Sequence, residues 1–188
     1  MVPRPDDPFA EGLSYEDILP LQWRPMTGTP AGEELLRLNR DNEAVLKVAM
    51  VLGEVRPDPG EDPSAATELA HLDFKLNVLL DLVGRLLVRE EILPAAVPLR
   101  LSARGLEWSA DPAPSPGEAI LVGLYLHPSY PRPVELPARV LETGPGADGR
   151  VRVRFEHLSE AVEEGLERLI FRNHRRLIAQ SRLPRGDG

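Results

Sequence analysis

Cysteine is missing from the 188 residues, which removes disulfides, thiolate metal sites and a cysteine nucleophile together. Histidine is scarce at four, and none falls in an HExxH or comparable ligand spacing. Aromatic residues make up 5%, too few for a platform on which single-stranded nucleic acid stacks. Lysine is almost absent: Lys47 and Lys75 are the only two among 22 basic residues, a skew that codon composition explains. Long apolar runs are lacking as well. Ala119 to Leu126, interrupted by Gly123, is too short to span a bilayer, and Met1 to Gly12 has no apolar core of a signal peptide. No Walker lysine or GxSxG serine is present, and carboxylates are too numerous for any pair to stand out. The expectation is a non-enzymatic cytoplasmic protein without metal, nucleic-acid partner or membrane insertion.

What is present is acidic. The formal net charge is -8, which opposes general nucleic-acid binding because that affinity comes from neutralising phosphates. The charge is unevenly placed. Residues 1–94 hold 18 acidic and 9 basic side chains, and residues 95–188 hold 12 and 13. The two halves read as different surfaces.

The 20 prolines punctuate the chain, leaving 31–56, 64–93 and 146–183 free of them. Because proline breaks helices and central strands, such gaps mark uninterrupted elements. Residues 1–30 carry six prolines and read as an extended arm. Tyr15, Ile18, Leu19, Leu21 and Trp23 form one sticky patch that packs on the chain itself or docks a partner. In the first gap Leu35, Leu38, Asn42, Val45, Ala49 and Leu52 step 3, 4, 3, 4, 3, a heptad seam with Asn42 at an a position. In the second gap Leu69, Leu72, Leu76, Leu79, Val83 and Leu86 step the same way. Leu46 and Val48, then Leu80, Leu82 and Leu87, put apolar residues at e and g as well, which suits a bundle of more than two helices. Residues 31–94 therefore read as a helical hairpin that self-associates, as a tetramer in preference to a dimer.

From Pro94 onward the texture is short alternating runs: Pro98 to Leu101, Gly105 to Ser109, Glu118 to Leu126, Val134 to Leu141 and Arg150 to Phe155. Turn-forming residues separate them. In Arg150–Phe155 the alternation is strict, with Val151, Val153 and Phe155 inward and arginines outward. A small antiparallel barrel follows, over residues 95–183 with a closing helix. Ser159 caps that helix, and Val162, Leu166, Leu169, Ile170 and Leu177 form its apolar face. Gly144 to Gly149 fits GxGxxG letter for letter, but a strand and not a helix comes next, so it reads as a hairpin turn. His71 and Asp73 are two apart on a helix and so on different faces. Arg168, Arg172, Arg175 and Arg176 form a stripe on the last helix, either a solvated face or an anion site.

Leu101-Ser102-Ala103-Arg104-Gly105-Leu106-Glu107-Trp108 resembles the (D/N)xSxxG motif of the PilZ family, the bacterial cyclic di-GMP receptors. The resemblance continues through Pro116-Gly117-Glu118, Val151 to Ser159 and the helix with Leu166, Ile170-Phe171 and Arg175-Arg176. It implies a six-stranded barrel with a C-terminal helix, here preceded by two long heptad helices in an α+β chain. Carried over from the family, Ser102 and Gly105 hold the motif's Ser and Gly, and Arg100 stands where Asp or Asn belongs. The family's RxxxR pair precedes the first barrel strand and clamps the dinucleotide. Its candidate here is Arg85 and Arg89, inside the second heptad helix. Arg172 and Arg176 share the spacing on another element. The resemblance thus implies an atypical member with a degraded site: an oligomeric adaptor in motility or virulence signalling, contacting a signalling or pilus-related protein. Cyclic di-GMP binding is expected to be weak or absent. A working receptor with a rearranged site and a purely structural bundle protein are the alternatives.

Overall fold

The stretch that reads as a free arm is a barrel strand. In the computed structural model, which describes residues 7–10, 12–53, 76, 79, 83, 93–128, 130–144 and 149–181, β1 runs from Ser14 to Pro25. Its first half pairs with β2 (Ala96–Ser102) and its second half with β4 (Ala119–Leu124). With β3 (Gly105–Ser109), β5 (Val134–Thr143) and β6 (Arg150–Phe155) it closes a six-stranded antiparallel barrel in the order β1-β2-β3-β6-β5-β4. The division into an arm over 1–30 and a barrel over 95–183 is corrected accordingly: the barrel draws its sixth strand from the N-terminal end. Tyr15 and Leu21 are buried in the core, and Leu19 and Trp23 pack against it. The two prolines within β1, Pro20 and Pro25, are the last paired residues of its two ladders, where a missing N–H is tolerated.

The remaining strands follow their alternation. Leu99, Leu101, Leu106, Trp108, Val151, Val153 and Phe155 point into the barrel, while Arg100, Glu107, Arg152 and Arg154 face out. Gly144 to Gly149 joins β5 to β6, an antiparallel pair, and the Gly144 N–H donates to the Arg150 carbonyl. The GxGxxG lettering belongs to a hairpin connection.

Helix α1 (Gly32–Leu52) and helix α2 (Glu160–Ser181) pack on each other, α1 also on β5 and α2 on β1 and β2. They cross closely at Gly165, where an added Cβ would lie 3.0 Å from Leu46 Cδ1. The face of α1 that carries the first seam is turned inward: Asn42, Val45, Leu46 and Ala49 are buried and Leu35, Leu38 and Leu52 partly so. Within the single chain this face meets two intramolecular neighbours, a helix and a strand. Two asparagines dock it. Asn39 donates to the Leu35 and His157 carbonyls and accepts from the Ser159 N–H. Asn42 exchanges hydrogen bonds with the Glu135 backbone. Ser159 caps α2 as its position implies, its hydroxyl accepting from the Val162 N–H.

Of the second seam, Leu76, Leu79 and Val83 are described. All three are helical and more than half exposed, at 58%, 57% and 51%. Leu69, Leu72 and Leu86 lie outside the described residues, as do His71 and Asp73. No helix among the described residues is long and apolar enough to cross a membrane.

Candidate functional site

The motif residues meet on one hairpin. Strands β2 and β3 pair from Leu99↔Trp108 to Ser102↔Gly105, leaving Ala103 and Arg104 as a tight turn. Ser102 lies on the same outer face as Arg100, at the barrel rim, and is 3% exposed beneath the Asp7–Ala10 segment. Its hydroxyl donates to the Pro8 carbonyl at 2.9 Å, with the Gly105 carbonyl also in range at 3.2 Å, and accepts from the Arg104 N–H. The serine is therefore engaged entirely by backbone. Gly105 is required by packing: a Cβ there would run into the Val153 carbonyl oxygen and lie 2.7 Å from Pro8 Cβ.

Arg100 lies on the outer face beside this turn. Its Nε donates to Ser14 Oγ at 3.0 Å, and its guanidinium sits 4.7 Å from the centre of the Phe9 ring. The Arg152 guanidinium is 5.9 Å from the same ring. The segment Asp7–Ala10 thus lies across the hairpin, with Pro8 buried against Gly105 and Phe9 under two arginines.

Register gives the outer face its electrostatics. Glu16 is opposite Arg100, Arg100 opposite Glu107, Glu107 opposite Arg152, and Arg152 opposite Glu142. Acid and base alternate across five strands, and cross-strand opposite charges stabilise such a ladder. Arg152 donates through Nε and Nη2 to one Glu107 oxygen, at 3.0 and 2.8 Å, and lies 3.6 Å from Glu142. Arg150 approaches Glu107 at 3.7 Å. Partial burial alone would lower the Arg152 pKa. The Glu107 hydrogen bond and charge, with Asp7 and Glu142, outweigh it and leave it raised. Each arginine on this row is flanked by carboxylates, so an incoming phosphate meets compensated charge.

Arg85 and Arg89, the candidate clamp, lie outside the described residues. Because β1 is the first barrel strand, the place of the family's clamp is the segment before Ser14. Residues 1–13 contain one arginine, Arg4. The helix stripe has other work. Arg172 donates to the Ala49 and Met50 carbonyls at the C-terminal end of α1, and Arg168 pairs with Glu164. A cation beside the last carbonyls of a helix is favourable there. Arg175 lies over Phe171. Sequence reasoning missed Pro8, Phe9 and Ser14, whose only signal was an aromatic residue within a proline-rich start. Among the described residues no group of three or more His, Asp or Glu is placed to hold a metal.

The fold has relatives. No curated protein matches the chain. A crystal structure from Xanthomonas campestris is 27% identical to the chain, covers 90% of it and is itself covered over 92%, with a TM-score of 0.68. It is described as a pathogenic protein that reveals a new tetrameric PilZ domain self-assembled via an unusual helical bundle. The family model for the atypical PilZ domain, cyclic di-GMP receptor, matches residues 45–183. That span holds the end of α1, five of the six strands and α2, and the chain belongs to the atypical PilZ family.

Proposed function

We propose that this protein is a non-enzymatic, cytoplasmic adaptor in bacterial cyclic di-GMP signalling, self-assembled as a tetramer through its second heptad helix and acting by protein contacts. Direct cyclic di-GMP binding is weak or absent. The observation that carries this is the state of the β2–β3 hairpin, where the Ser102 hydroxyl is buried beneath Pro8 and Arg100 and Arg152 enclose Phe9. Arg100 in place of an acidic or amide residue has donors and no acceptor for a guanine N1–H or N2–H₂. The carboxylates along the row oppose phosphates, and residues 1–13, ahead of β1, hold one arginine, Arg4. The exposed Leu76, Leu79 and Val83 support self-assembly, since three large aliphatic groups in water would cost about 1–3 kcal/mol each. The tetrameric Xanthomonas relative, described as a pathogenic protein, supports both the assembly and a role in virulence.

Calorimetric titration of the full chain with cyclic di-GMP tests the reading, together with a light-scattering mass. No saturable heat at ligand concentrations of hundreds of micromolar and a mass about four times 20.8 kDa are expected. A low-micromolar site abolished by Ser102→Ala makes the protein a receptor instead.

A further inference from the structure

The chain itself occupies its motif face. Asp7 Oδ1 accepts from the Phe9 N–H at 3.0 Å, and the Ala10 N–H donates to the Asp7 carbonyl at 3.1 Å. These bonds close a turn that presents Pro8 and Phe9 to the hairpin. The Pro8 carbonyl takes the Ser102 hydroxyl, and its ring covers Gly105. Phe9 takes the face of the Arg100 guanidinium, the position in which a planar ligand ring would be held by the same cation–π attraction. The occupant thus uses the hydroxyl, the bare glycine and the stacking cation, the three features a ligand would use.

This occupant is separable from the fold. Phe9 is no part of the apolar core, Pro8 is buried against the Gly105 turn and not within the barrel, and the ladders of β1 begin only at Ser14. Gly12, with φ at +99°, stands between the turn and the strand and allows the chain to change direction there. Lifting residues 7–10 leaves every barrel pairing in place.

We propose that Asp7–Ala10 is an autoinhibitory strap, a tethered occupant that holds the Arg100–Ser102–Gly105 face closed. This rests on the reading that the face is a poor receptor and supplies a cause for it particular to this chain. A ligand of the face meets a competent site only in the fraction of molecules whose strap is lifted, and its apparent dissociation constant is raised by the inverse of that fraction. A strap docked nine-tenths of the time weakens binding about tenfold.

The test uses the full chain with Phe9→Ala and, separately, Pro8→Gly, the second covering the case in which one variant fails to fold. Hydrogen exchange of the Ser102–Gly105 hairpin shows whether the strap is lifted, and calorimetry with cyclic di-GMP as the probe reads the face. In both folded variants the hairpin should exchange faster, and the probe should bind at least tenfold tighter than in the unaltered chain. Variants with a lifted strap that bind no better than the unaltered chain overturn the strap while leaving the adaptor reading intact. Unchanged hairpin exchange in both variants overturns it too. Low-micromolar binding by the unaltered chain overturns both readings.

Discussion

Asn42 on α1 and Glu135 on β5 form a reciprocal pair: the Asn42 amide donates to the Glu135 carbonyl at 2.7 Å and accepts from its N–H at 2.8 Å. Strand β6 pairs with β5 only from Ala138 onward, so Glu135 sits on an edge that β6 does not reach. An open edge offers unpaired backbone groups, and one side-chain amide has the donor and acceptor to satisfy both. The residue is 1% exposed within a single chain. Within the single chain Asn42 is a clamp between helix and barrel.

Asn42→Ala should destabilise the protein by about 1–3 kcal/mol, because it strands a buried backbone N–H and carbonyl. Urea unfolding of the full chain reads this as a lower midpoint. Native mass should not change. A variant of unaltered stability but altered mass would return Asn42 to the oligomer seam.

Leu76→Glu combined with Leu79→Glu should reduce the native mass to that of a monomer. Both side chains are more than half exposed in the single chain, so the charges cost the isolated fold little and fall on the surface assigned to assembly. Light scattering measures the mass, and near-ultraviolet circular dichroism of Trp108, buried in the barrel, checks that the core persists. An unchanged mass would detach the second helix from assembly.

Tyr15 gives a pH signature of the β1–α2 contact. Burial pushes its phenol from 10.0 to about 12, with Asp17 adding to the rise and the Asn173 hydrogen bond and Arg172 opposing it. The neutral form is favoured in the folded state. Its contribution is complete below pH 10, the unfolded value, and is lost as pH rises through the folded value near 12. Two units correspond to about 3 kcal/mol. Urea midpoints of the native chain should fall across that window more steeply than those of Tyr15→Phe, and equal slopes would place Tyr15 outside the core.

How much of this was legible depended on whether a signal was local. Strand β6 was plain because strict alternation in Arg150–Phe155 reports one wet and one dry face. Ser159 was plain as a cap because its partner, Val162, is three residues on. Strand β1 was hidden because it changes partner midway, from β2 to β4, and the prolines at that change and at its end resemble punctuation of an arm. The seam on α1 was seen correctly as an apolar face, but periodicity does not say whether a barrel or another subunit covers it. The face around Ser102 was hidden for a similar reason. Pro8 and Phe9 lie more than 90 residues away in sequence, and no local pattern joins them.

The strand taken from the N-terminal end determines what a truncated protein can do. A fragment from Ala95 to Arg182 contains β2 to β6 and α2 and reads from composition as a complete barrel module. It lacks β1, which closes the barrel by bridging β2 and β4. Removing it exposes two strand edges at once and deletes the buried Tyr15 and Leu21. It also uncovers the underside of α2, which packs against β1 and β2. Deleting two large core side chains costs about 3–5 kcal/mol each at the upper end, against a total stability of about 5–15 kcal/mol for an ordinary domain. Loss of α1 adds to this, since Asn42 then no longer satisfies Glu135 and Leu46 no longer covers Gly165. The fragment should be unfolded or aggregated. Circular dichroism and amide proton dispersion measure this directly, and adding back a synthetic peptide of residues 7–53 should restore dispersed β-sheet signals. A well-dispersed spectrum from the fragment alone would mean that β2 and β4 can close on each other without β1.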